Sequence, residues 1–123
     1  MQNDNSKFKV EFKKRLYTWV LRLVKFIDTL QRQDTYGVIG KQLLRSGTSV
    51  LANYIEAQSA SSRKDFINFL NHSLKSANES KVWLILLRDT NKGDKKELKW
   101  LSEDLVEISN VIAKSIITLK NKK

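Results

Sequence analysis

Cysteine and proline are absent from this 123-residue chain, and glycine occurs only four times. Without cysteine there is neither a disulfide framework nor a thiolate metal site, which agrees with a reducing compartment. Without proline, and with so few glycines, frequent chain reversals lack their usual residues. Long helices are therefore favoured over strands and tight turns. No apolar run approaches the ~20 residues that span a bilayer. The opening MQNDNSKFKV lacks the apolar core of a secretory leader. A cytoplasmic location with no membrane partner is expected. Histidine occurs once, as His72, so the usual general base and metal ligand is nearly unrepresented.

Negative charge is scarce as well. Thirteen Asp and Glu stand against 23 Lys and Arg, a formal net charge of +10. On one small domain such a charge attracts polyanions, and nucleic acid is the first partner class it suggests. The plainer alternative is a well-solvated basic surface. Hydrophobic residues make up 41%, enough for one compact core and against a disordered chain.

What is present is helical periodicity. Residues 1–7 are polar and expected to fray. From Phe8 to Arg32, the residues Phe12, Leu16, Trp19, Val20, Leu23, Ile27 and Leu30 recur at steps of three and four and make one apolar face. QRQDTYG interrupts the pattern, with Gly37 as the turn. A second helix is expected from Val38 to Gln58, with Ile39, Leu43, Val50 and Tyr54 inward and Leu44, Leu51 and Ile55 widening the stripe. Ser62 with Asp65 reads as a capping box that opens a third helix, Arg63 to Asp89. The middle of that helix is small: Ser73, Ser76, Ala77 and Ser80. Gly93 and a candidate N-cap at Asp94 open the fourth helix, which reaches Leu119 with a near-heptad pattern from Leu98 to Ile112. Four helices with short connections predict an all-α, antiparallel up-down-up-down four-helix bundle, one domain over residues 1–123.

The residues offer little catalytic chemistry. No nucleophile elbow, Gly-rich phosphate loop or paired Glu-x-x-His motif occurs. Glu56, His72 and Glu79 are the best candidates for a metal site, and a single His with two Glu is a thin signal. No enzyme activity, metal or cofactor is expected. Trp19 falls on the apolar face and reads as core. Trp83 and Trp100 lie off the buried stripes and read as interface anchors or base-stacking platforms. The cations expected to meet phosphate are Lys13, Lys14, Arg22 and Lys25 on the first helix, and Lys95, Lys96, Lys99, Lys120, Lys122 and Lys123 on the fourth.

One stretch is unusual. In RSGTSVLANYIEA, the residues Ser46, Ser49, Asn53 and Glu56 form a polar stripe beside the apolar one. With Arg45, with Asp65, Phe66, Phe69 and Leu70, and with Ser76 and Glu79, it resembles the signature of the small four-helix-bundle proteins encoded in 23S rRNA intervening sequences. Ala57, Ile55, His72 and Lys75 depart from the family pattern and are expected to make the approach of the second and third helices bulkier and more polar. The resemblance implies a ring-shaped homopentamer without catalytic activity. It also implies likeness to the basic accessory proteins of diversity-generating retroelements, which bind nucleic acid and a reverse transcriptase. The expected function is a homo-oligomeric scaffold that binds nucleic acid, RNA foremost; the alternative is a protein-interaction adaptor, for example for a reverse transcriptase. The polar stripe is expected to face the small stripe of the third helix and a neighbouring subunit. Glu56 would then pair with Arg45 of that neighbour or cap the loop at Ser61 and Ser62.

Overall fold

A computed structural model describes residues 2–30 and 34–122. It contains four helices: α1 Gln2–Asp28, α2 Asp34–Gln58, α3 Arg63–Asp89 and α4 Lys95–Lys120. Each helix packs on its neighbours in chain order, α4 closes on α1, and the backbones of the diagonal pairs stay apart among the described residues. The result is the expected antiparallel bundle, with α2 and α3 packed most closely.

The core follows the predicted stripes. Leu16, Trp19 and Leu23 from α1, Leu43 and Val50 from α2, Leu70 and Leu84 from α3, and Leu101, Leu105 and Ile108 from α4 are fully buried. Trp19 is core, as its position implied, and its indole N–H donates to the Leu101 carbonyl at 2.9 Å. A buried ring therefore carries no unpaired donor. Leu44 and Ile55, expected to widen the α2 stripe, point outward at 38% and 45% exposure.

Three boundaries differ from the periodicity. α1 starts at Gln2 rather than Phe8; the residues before Phe8 include neither Gly nor Pro, so nothing there breaks a helix. It ends at Asp28, short of Arg32. Thr29 and Leu30 donate to carbonyls three residues back, and the Thr29 hydroxyl donates to the Phe26 carbonyl at 2.6 Å. The remainder of the predicted extension, residues 31–32, lies outside the described residues. α2 starts at Asp34, so Gly37 lies inside the helix instead of forming the turn. A glycine within a helix costs only about 1 kcal/mol, and the apolar face of α2 supports the extra turn.

The other boundaries agree. The Ser62 hydroxyl accepts the Asp65 N–H at 3.1 Å and caps α3. Asp94 sits at the N-cap of α4, although its side chain makes no capping bond. Gly93 has φ +79°, and an added Cβ would lie 2.5 Å from the Phe26 ring, so this turn needs glycine for both conformation and space. Among the described residues, no helix is long and apolar enough to cross a membrane.

Candidate nucleic-acid interface

The polar stripe resolves into a clamp between α2 and α3. The Ser46 and Ser80 hydroxyls meet at 2.8 Å, both fully buried. The Ser73 hydroxyl, also buried, donates to the Val50 carbonyl at 2.7 Å. At the surface Arg45 pairs with Glu79, which also accepts the Trp83 indole N–H at 3.1 Å. Small side chains let the two backbones come close, and their hydroxyls satisfy one another, so no buried side-chain polar atom among the described residues is left unpaired.

The lower part of the stripe, Ser49, Asn53 and Glu56, makes no side-chain hydrogen bond to α3 among the described residues. Ser49 donates to the Arg45 carbonyl and Asn53 to the Ser49 carbonyl, both within α2. Glu56 is exposed and makes no side-chain hydrogen bond or ion pair among the described residues. Its predicted role as a loop cap is therefore taken by Ser62 alone. Arg45 is held by Glu79 of its own chain. Ser76 is half-buried, and its carbonyl accepts from Ser80 at 2.9 Å. The departures also resolve. Ala57 is fully buried and fits, while His72 and Lys75 are exposed and lie outside the helix contact. Of the four departures, Ala57 alone is enclosed, and Ile55, His72 and Lys75 stay at the surface.

A second set of ties joins α1 to α4. Arg15 bonds Asp104 at 2.6 Å and Glu107 at 3.1 Å. Arg22 grips Glu97 with two nitrogens, at 2.9 and 2.6 Å, and its guanidinium lies 3.4 Å from the centre of the Trp100 ring. The hydrogen bond from Arg22 holds the Glu97 carboxyl below its ordinary pKa. The hydrogen bond to Asp104 likewise raises the Arg15 guanidinium. Arginines seven residues apart on one helix meet acids seven apart on the other, and two antiparallel helices bring such pairs into register. That heptad match is visible in the sequence, yet single helices read one at a time conceal it. Arg22 is accordingly not a free cation. It fixes α1 on α4, and Trp100 is half-buried beneath it.

The lysines behave differently. All five ion pairs among the described residues use arginine, and none uses lysine. Lys13, Lys14, Lys25, Lys95, Lys96, Lys99, Lys120 and Lys122 are exposed; Lys123 lies outside the described residues. They do not form one patch. Lys25, Lys95, Lys96 and Lys99 gather at the end where α1 finishes and α4 begins, an end fixed by Phe26 against Gly93. Lys13, Lys14, Lys120 and Lys122 belong to the half where α1 begins and α4 finishes. Lys14 and Lys25 are eleven residues apart, three helical turns, and so share one side of α1 about 16 Å apart. Lys92 joins the first group, its ammonium 4.2 Å from the Tyr36 ring. Helical periodicity gives no hint of it, because it lies in a loop.

Among the described residues no three His, Asp or Glu side chains come close enough to hold a metal ion. Glu56, His72 and Glu79 are therefore not assembled into a site. His72 is exposed beside Phe69, with ring centroids 6.5 Å apart.

Comparison with known proteins agrees with this arrangement. The family model of the 23S rRNA-intervening sequence protein matches residues 9–114. A solved structure from Bacteroides thetaiotaomicron VPI-5482, described as a protein with unknown function from the S23 ribosomal protein family, is 38% identical. The match covers 85% of this chain and 97% of that one, with a TM-score of 0.76. No curated protein matches the chain.

Proposed function

Since the chain belongs to the 23S rRNA-intervening sequence protein family, we propose that it is a non-catalytic helical scaffold that binds nucleic acid, RNA foremost, through phosphate contacts. The observation that carries this reading is the division of its cations. Arg15, Arg22 and Arg45 are engaged in ion pairs between helices, whereas the exposed lysines form none among the described residues and are left for a partner. Lysine is a flexible point charge that suits backbone contact without a fixed geometry. Nothing on the lysine-bearing helices reads as a base-recognition motif, so recognition is of backbone and shape.

Self-association completes the proposal. Val82, Ile85 and Leu86 on α3, with Leu44 and Ile55 on α2, are large apolar residues left open to solvent. Several together on adjacent helices suit a protein contact better than water. Five copies, the number implied by the family resemblance, would carry a charge of about +50 and a correspondingly strong field for polyanions. The same apolar face would serve a different protein in the adaptor reading, a reverse transcriptase among them.

Binding is tested by fluorescence anisotropy with a structured rRNA fragment, duplex DNA and an unstructured polyanion at two salt concentrations. A preference for the rRNA fragment that survives the higher salt supports the proposal. Equal binding of all three that collapses with salt overturns it, leaving only a basic surface.

A further inference from the structure

The bundle does not close at the end where α1 and α3 begin and α2 and α4 finish. A cleft of about 540 Å³ lies there, within the size range of small-molecule sites. Its floor is core: Phe12, Tyr54, Leu70 and Ile112 line it and are otherwise buried. Phe8 carries the apolar surface outward. It is 51% exposed and stacks parallel on Phe12 with ring centroids 6.0 Å apart. An exposed phenylalanine stacked over an open cleft leaves apolar surface that a ligand can cover.

The same cleft is lined by three exposed lysines, Lys9, Lys114 and Lys122, and among the described residues by no Asp or Glu. Among the described residues none of the three is in an ion pair. Besides the lysines, the cleft's polar side chains are Tyr54, Gln58, Ser115 and Thr118, and of these Gln58 and Thr118 are exposed. The Tyr54 hydroxyl makes no hydrogen bond to the protein among the described residues. No enclosed polar atom there is unpaired, so this hydroxyl opens on the cleft that its ring lines.

These features select a chemistry. A bare inorganic anion would use the lysines and leave the apolar walls wet. A nucleobase seated on the floor would press its ring-edge donors and acceptors against Phe12, Leu70 and Ile112, which cannot bond them. A hydrocarbon chain has no such groups and gains from every apolar contact. We propose that this cleft binds a single-headed amphipathic anion, a long-chain carboxylate, with its chain on the aromatic and aliphatic floor and its head among Lys9, Lys114 and Lys122. The site shares Lys122 with the nucleic-acid reading, whereas Lys9 and Lys114 take no part in that one.

The test is calorimetric titration of the full chain with dodecanoate below its micelle concentration, beside dodecanol, acetate and AMP. The expected result is saturable binding of one dodecanoate per chain, with dodecanol and acetate each weaker by about tenfold or more. Lys9→Glu with Lys114→Glu lowers dodecanoate affinity by about tenfold while circular dichroism and the thermal midpoint hold. Thr118→Trp, an exposed α4 position beside the cleft, lowers it by crowding the chain. Absence of saturable binding overturns the proposal. So does binding of many dodecanoates per chain that neither variant changes, which is a soap coating a basic surface. AMP binding more tightly than dodecanoate overturns it in favour of a nucleotide.

Discussion

Gly47 stands where α1 passes closest to α2. An added Cβ would collide with Cδ2 of Leu23 and lie 3.4 Å from the Trp19 ring. Both neighbours are fully buried, so neither has room to retreat. Gly47→Ala is expected to destabilise the fold by about 1–3 kcal/mol, the usual cost of overpacking a filled core, despite alanine's better helix propensity. Urea denaturation checks it, and an unchanged or raised midpoint would show that Leu23 repacks freely. Ser46 invites a milder change. Ser46→Ala removes the bond to Ser80, but Ser80 keeps its bond to the Ser76 carbonyl. A destabilisation of about 1 kcal/mol is expected, at the lower end of the range for Gly47→Ala. Glu56 is the contrast: exposed and unpaired within the described chain, its replacement by alanine should change unfolding of the isolated chain by less than about 0.5 kcal/mol. A change in assembly measured by light scattering, with unfolding unaltered, would assign Glu56 to a contact between copies.

At the scale of helices, the α1–α4 seam depends on pH through one carboxylate. Arg22 holds Glu97 below its ordinary pKa. The resulting stabilisation is complete above the unfolded value, about 4.3, and is lost as pH falls through the lower folded value. Glu97→Gln should therefore lower the thermal midpoint at neutral pH and narrow its gap to wild type as the medium is acidified. Midpoints that differ equally at every pH would mean that Glu97 acts by packing alone. The helices themselves are largely legible in the sequence, because apolar residues at three- and four-residue steps have one stable solution here. So is the α2–α3 approach, through the run of small residues on α3. The arginine ties are not, since they depend on register between helices far apart in sequence. The pairing of Arg45 with Glu79 is hidden for the same reason: spacing along α2 cannot reveal that Glu79 on α3 reaches it. The end cleft is equally hidden, because its lining comes from all four helices and no local pattern marks it.

For the whole molecule, the two lysine groups make binding extended rather than focal. Replacing Lys95 and Lys99 by Glu should flatten the salt dependence of nucleic-acid binding, by about one unit of slope for each phosphate no longer neutralised. The slope comes from the logarithm of affinity against the logarithm of salt concentration. An unchanged slope would move the interface to the other lysine-bearing end.

The division between arginine and lysine reaches beyond binding. Acylating reagents and acyl-transferring enzymes attack amines and pass over guanidinium groups. Such chemistry would strip this protein of most of its positive charge while every tie between its helices stayed in place. It would still be folded, yet electrically a different particle. Its field is therefore adjustable after synthesis, independently of its architecture.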